Sequence, residues 1–257
     1  EVLVGFREKA SPFVADMRDC SVLDQRIAAL IAPLNSMISS LTVKAAIPQI
    51  EVAASEDMVV LVVRHLEALV SEDVNILGQF SSKHGIRMMT QTAGPESVIP
   101  LPGEAQAVLS YSLRGEGLTF EFEPLDFTQV NFSMNEQMTN QALELLNLQA
   151  DDQVIDAFCG IGNFTLPIAK RVTSVLGLES AEASVQRARK NAERNAVSNA
   201  LFEVQDLYAK EGVPDLLGYN KMLIDPPRSG AEQLVQSPLV DRLERICLLY
   251  TSDAADE

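Results

Sequence analysis

The chain has 257 residues, 47% hydrophobic and 22% charged, which is enough to bury one large or two modest cores and typical of a globular protein. Its formal net charge of −16 argues against a protein that grips nucleic acid with its whole surface, because neutralising phosphates takes clustered Lys and Arg. No apolar run reaches the roughly 18 residues of a membrane span, the first residues lack a secretory pattern, and Cys20, Cys159 and Cys247 are too scattered for a disulfide framework, so a cytoplasmic chain without a membrane partner is expected.

Residues 2–6 read as strand-like. Residues 22–41 are apolar at helical spacing through Leu23, Ile27, Leu30, Ile31, Leu34 and Ile38, predicting a helix despite Pro33. Two β-branched runs, 50–53 and 58–63, flank Ser55-Glu56-Asp57 and predict a hairpin. A helix over 72–84, a strand over 86–90 and two short strands at 109–112 and 118–122 complete an α+β unit over residues 1–125. A helix over 135–148 then introduces alternating strands and helices, the pattern of a parallel sheet. His65 and His84 read as structural, and the basic residues Arg7, Lys9, Arg18, Arg187, Arg189, Lys190 and Arg194 read as solvated faces.

The chemistry concentrates after residue 150. Val154 to Ala157 reads as a buried strand running into Phe158-Cys159-Gly160-Ile161-Gly162-Asn163-Phe164-Thr165, a glycine turn that opens a helix. Gly160 and Gly162 let the main chain approach a ligand closely. The third glycine of the dinucleotide fingerprint would fall at Thr165, which weighs against a pyrophosphate. A second strand, 174–179, ends in Glu179, where a carboxylate can accept from two ribose hydroxyls. A third, 201–205, delivers Asp206, and a fourth, 221–224, delivers Asp225-Pro226-Pro227-Arg228. Cys159 reads as a small side chain packed behind the glycine loop.

These strand ends resemble the S-adenosylmethionine site of class I (Rossmann-like) methyltransferases. Phe127-Thr128-Gln129-Val130-Asn131, then residues 158–167, then Asp225-Pro226-Pro227-Arg228-Ser229-Gly230 resemble, in order and spacing, the RNA (uracil-C5)-methyltransferases. Gly5-Phe6-Arg7 and Asp19-Cys20 are similar to the bacterial branch acting on 23S ribosomal RNA. The resemblance implies a methyltransferase domain over 126–246 behind the α+β domain, with Gln129, Phe158, Gly160, Gly162, Asn163, Glu179, Asp206 and Asp225 at the cofactor. It implies that a cysteine thiolate adds to uracil C6, that C5 then takes the methyl group, and that a general base removes the C5 proton as the cysteine is eliminated. The substrate would be a uridine of 23S rRNA, tRNA being the alternative, and the protein a monomer. Arg228 stands where aminomethylating enzymes place an aromatic residue, which disfavours N-methylation.

The family also implies an RNA-binding TRAM domain ahead of residue 1, and a 4Fe-4S cluster whose distant fourth ligand matches Cys20. After Ile246 the family pattern expects a strand followed by Ser-Cys-Asn-Pro, whereas this chain reads Cys247-Leu248-Leu249-Tyr250-Thr251 and onward. The nucleophile and general base are thus expected outside this sequence, residues 247–257 are expected to be a non-native tail, and the chain by itself is expected to bind cofactor without methylating. A non-catalytic S-adenosylmethionine-binding module is the reading from another class.

Overall fold

The computed structural model describes residues 2–8, 11, 13–17, 19–209 and 217–249. Lys9, Arg18 and the tail from residue 250 onward lie outside the described residues. The described residues form two compact units, one made of those up to 109 together with 123–125, the other of 110–122 and those from 126 onward.

In the first unit α1 (Gln25–Ala28) and α2 (Ile31–Ser40) replace the single helix predicted over 22–41. Proline explains the break. Carried through, one helix would press the Pro33 ring onto the carbonyl of Ala29, whereas a restart at Ile31 puts Pro33 in a first turn, where its missing N–H costs nothing. The predicted hairpin forms as β1 (Gln49–Ala54) and β2 (Val59–Arg64), and α3 (Ser71–His84) crosses to β3 (Arg87–Gln91), parallel to β2, with β4 (Ile99–Pro100) beyond it. Leu34, Ile38, Leu61, Val63, Leu77 and Met88 form the centre of this unit's core. Residues 2–6 are not a strand; an isolated bridge, Arg7 to Val14, is what this segment contributes. His65 is buried, its Nδ1 donating to the Glu67 carbonyl at 2.8 Å, and His84 packs on the Phe80 ring, so both are structural.

The second unit begins at Ser110, within β5 (Leu109–Leu113), which pairs with β6 (Leu118–Phe122) as a two-stranded ribbon. It continues with α4 (Phe132–Leu146), β7 (Gln153–Ala157), α5 (Thr165–Ala169), β8 (Ser174–Glu179), α6 (Glu182–Arg194), β9 (Ala200–Val204), β10 (Lys221–Ile224), α7 (Glu232–Val235) and β11 (Arg245–Leu248). Five strands form one parallel sheet in the order β11-β10-β7-β8-β9, the doubly wound, Rossmann-like arrangement. Alternation along the strands sends Val154, Val175, Leu223 and Cys247 to one face, under α4 and α5, and Ile155, Leu176 and Met222 to the other, under α7. Both faces are covered at the three central strands β7, β8 and β10, which is why these are almost uninterrupted apolar runs, while the edge strands β9 and β11 stay largely exposed.

The ribbon joins the second unit because helix α6 pairs with its edge. Asn191 Oδ1 accepts from the Glu121 N–H and Asn195 Oδ1 from the Thr119 N–H, each at 2.9 Å, while their amide groups donate to the carbonyls of the same residues. On the same helix the solvated-face reading holds for the exposed Arg189, Lys190 and Arg194 and fails for Arg187. Arg187 is 15% exposed and donates to Asp126 at 3.0 Å, Arg189 donates to the Phe202 carbonyl at 2.6 Å, and Arg194 pairs with Glu121.

Candidate cofactor site

Because the sheet is parallel, the carboxyl ends of its strands share one edge. The chain leaves β7 toward β8 and β9, then returns past β7 to β10, so the order reverses between β7 and β10 and opens a crevice beyond their carboxyl ends. Phe158 follows β7, Glu179 ends β8, Asp206 follows β9 and Asp225 follows β10. The Asp225 N–H donates to the Ala157 carbonyl at 3.3 Å, closing the β7 and β10 ends side by side.

The loop after β7 is wound by three positive φ angles, at Phe158 (64°), Gly160 (53°) and Gly162 (93°). A non-glycine residue in that region is strained, and such strain is held where surrounding contacts over-determine the backbone. Those contacts are present: Cys159 N–H donates to the Leu178 carbonyl at 3.0 Å, and Gly160 N–H to Glu179 Oε2 at 3.2 Å. A Cβ on Gly160 would meet nothing within 4 Å, so open space lies over the loop and a ligand can approach its backbone. Behind it the packing is tight, with Cys159 only 4% exposed. Burial, then the charges of Asp156 and Glu179, push its thiol well above the ordinary range, so the protonated, packed form is favoured. A Cβ on Gly177 would lie 2.7 Å from Phe202 and 2.8 Å from Cys159 Sγ. Gly177→Ala is therefore expected to destabilise the protein by about 1–3 kcal/mol, read from the urea midpoint.

Thr165, at the position of the absent third glycine, donates its hydroxyl to Asp156 Oδ2 and locks the start of α5 to β7. Asp156 is fully buried and its Oδ1 has no partner among the described residues. Burial, against the opposing Thr165 bond and with help from the Asp225 and Glu179 charges, raises its carboxyl to about 7; burial raises Asp225 to about 6. An acid with a raised folded pKa stabilises the fold below its unfolded pKa, and that contribution is lost as pH rises through the folded value. Stability should thus decline as pH rises from about 4 toward 7. Asp156→Asn should flatten that decline by up to about 1.4 kcal/mol per pH unit in urea titrations run across the range.

Glu179 is anchored through both oxygens: Oε2 takes the Gly160 N–H, and Oε1 takes the Ala181 N–H at 2.9 Å and the Ser180 hydroxyl at 3.0 Å. A carboxylate has about four acceptor directions, so with three bonds in place one direction, on Oε2, remains for a ligand hydroxyl, and a second opens if the Ser180 hydroxyl rotates away. Asp206 is exposed and accepts from the Tyr208 N–H at 2.9 Å. Asn163 is engaged inside the protein: its Oδ1 accepts from the Tyr111 hydroxyl at 2.7 Å and from Asn135 Nδ2 at 2.9 Å, and its Nδ2 donates to Asn135 Oδ1. Since Asn135 lies in the first turn of α4, this exchange sets the helix start against the glycine loop. Gln129, half-buried, lies two residues ahead of the α4 N-cap, Asn131. Sequence reasoning missed Tyr208, whose ring meets Phe158 and whose hydroxyl meets Ser229; an aromatic two residues beyond a strand-end acid was the available signal.

Cys20 is half-buried beside a cavity of about 490 Å³ that Leu23, Gln25 and Ala32 help to line. Among the described residues no group of three His, Cys, Asp or Glu stands close enough to hold a metal ion. Cys247 lies inside β11, buried among Leu143, Val154 and Leu223, as expected of a strand residue. Among the described residues, no helix is long and apolar enough to cross a membrane.

Residues 14–255 match the family model described as tRNA (uracil-5-)-methyltransferase. The 23S rRNA (uracil(1939)-C(5))-methyltransferase RlmD of Hahella chejuensis is 46% identical over 243 residues, 92% of this chain and 54% of that protein. RlmD of Nitrosospira multiformis is 40% identical over 258 residues, 98% of this chain and 58% of that protein. The chain thus spans about half the length of the curated relatives it matches. Among solved structures, the Pyrococcus abyssi tRNA (uracil-54, C5)-methyltransferase in complex with S-adenosyl-L-homocysteine superposes with a TM-score of 0.62, at 20% identity, over 93% of this chain and 59% of that one. At that identity the likeness concerns the fold alone.

Proposed function

The chain belongs to the tRNA (uracil-5-)-methyltransferase family, and on that premise we propose that it carries the cofactor-binding core of an enzyme methylating C5 of a uridine in 23S ribosomal RNA. The observation that carries this reading is the 46% identity, over nearly the whole chain, to a relative named for that reaction. S-adenosylmethionine, when bound, supplies an electrophilic methyl group. Glu179 would hold the ribose hydroxyls, Asp206 the adenine amine, and the main chain at Gly160 and Gly162 the methionine end, with Phe158 as a wall. Gln129 and Asp225 would face the reacting groups. Asp225 has a raised pKa of about 6, which lets it pass between proton donor and acceptor near neutral pH when orienting a base. The target uridine would leave its stack to reach the crevice. The methyl transfer itself proceeds through a covalent cysteine–C6 adduct, which makes C5 nucleophilic; loss of the C5 proton to a base then expels the cysteine and restores the ring.

Asn163 is proposed at the cofactor as a support of the glycine loop, since its amide is committed to Asn135 and Tyr111. Cys20 is proposed as one thiolate of a 4Fe-4S cluster; its support is the family resemblance, and the described residues bring no second thiol beside it. A monomer working in the cytoplasm completes the reading. Two measurements test it. Calorimetry of the 257-residue chain with S-adenosylhomocysteine should show one site per chain. Labelled methyl transfer by the gene's full-length product should mark unmodified 23S rRNA in preference to tRNA. Labelling of tRNA alone moves the substrate to tRNA, and cofactor binding without transfer to either leaves a binding module.

A further inference from the structure

Three loops of the parallel sheet's carboxyl edge meet at one side chain that no part of the reading above uses. Tyr208 donates its own N–H to Asp206 Oδ1 at 2.9 Å, so the turn after β9 fixes acid and aromatic together. Its ring meets the ring of Phe158, from the loop after β7, with centroids 5.7 Å apart and planes tilted by 57°. Its hydroxyl meets Ser229 Oγ at 2.8 Å, in the Pro-Pro loop after β10 that begins with Asp225. Tyr208 is 41% exposed as a residue, so it is held by these contacts and still has surface to offer.

Resting on the cofactor reading of this edge, we propose that Tyr208 is the adenine-positioning residue: its ring packs against the base, and its hydroxyl ties the base's seat to the loop carrying Asp225. The separation of 5.7 Å leaves no gap for a base between the two rings, so Phe158 and Tyr208 form one continuous wall. A flat heterocycle bearing an exocyclic amine suits that wall, since its face lies on an aromatic ring while its amine donates to the remaining oxygen of Asp206. The bond to Ser229 means that a seated base and a placed Asp225 loop favour one another, a coupling between two ends of one site.

The competing role is a staple that merely holds loops. Tyrosine emission separates the two, because the chain has four tyrosines and no tryptophan. S-adenosylhomocysteine should be titrated into the wild-type chain, Tyr208→Phe, Tyr208→Ala and Ser229→Ala, with affinity read by calorimetry and folding by thermal midpoint. Tyr208→Ala should bind about 10–100-fold more weakly. Tyr208→Phe and Ser229→Ala should each bind about threefold more weakly, and the double variant no more weakly than either. Emission should be quenched on binding in the wild type and in Ser229→Ala, and unquenched in Tyr208→Phe. Affinity of Tyr208→Ala within twofold of wild type, or quenching that persists in Tyr208→Phe, overturns the proposal while the cofactor reading stands. A folded wild-type chain that does not bind S-adenosylhomocysteine overturns both.

Discussion

Lys221→Met is expected to destabilise the protein by about 3–5 kcal/mol, the largest effect of any single substitution considered, because it strands a buried charge. Lys221 Nζ lies 2.6 Å from Asp152 Oδ2, with the two side chains 6% and 4% exposed, and it also donates to the Asn147 carbonyl at 2.6 Å. Asp152 further accepts from the Gln149 N–H at 2.6 Å and from Asn220 Nδ2 at 2.8 Å. Burial alone would raise the Asp152 carboxyl; the Lys221, Gln149 and Asn220 bonds outweigh it and hold the group below the ordinary range. A depressed folded pKa contributes stability above the unfolded value near 4, and that contribution is lost as pH falls through the folded value. Wild type should therefore lose stability on acidification below about pH 4, and Lys221→Met should lose less over the same interval. Denaturant unfolding at neutral and acid pH checks both statements. Lys221→Met combined with Asp152→Leu should recover part of the loss, because the orphaned carboxylate is gone. Equal stability of single and double variants would show that the charge is not the cause.

Glu179→Ala is expected to weaken S-adenosylhomocysteine binding about 30–150-fold, the free energy of about 2–3 kcal/mol typical of charge-assisted hydrogen bonds to ribose hydroxyls. Part of the loss comes from within the protein, since Oε2 also accepts the Gly160 N–H and helps fix the glycine loop. Glu179→Gln retains an oxygen for that N–H and should lose only about tenfold. The comparison separates support of the loop from recognition of the ribose. If Glu179→Gln and Glu179→Ala bind alike, the carboxylate acts on the ligand alone; if neither weakens binding, the ribose lies elsewhere.

Much of the candidate site was legible in the sequence. The strands predicted over 174–179 and 221–224 fall on β8 and β10 to the residue, because each is a short apolar run closed by turn residues or an acid. A parallel sheet then forces Phe158, Glu179, Asp206 and Asp225 onto one edge, so four separate positions in sequence became one region by topology alone. Cys159 as packing was also readable, from its place beside two glycines. Pro33 was visible too, but its consequence depends on helix phase, and whether the chain bends or restarts is decided by which arrangement buries Leu30, Ile31 and Leu34.

Sequence by itself determined the alternation of strands and helices, the glycine turn, the acids at strand ends and the family to which the chain belongs, since all of these are properties of short windows or of motif order. Tertiary structure alone decided the partners. It turned Arg187 from a surface charge into an ion pair with Asp126, gave the Asn163 amide to Asn135 and Tyr111, drew residues 110–122 onto α6, and set Tyr208 between Phe158 and Ser229. The physical reason is the same in each case. Secondary structure answers to periodicity within a few residues, whereas buried polar groups must find partners wherever the packed chain brings a complementary atom, here from 20 to more than 70 positions away.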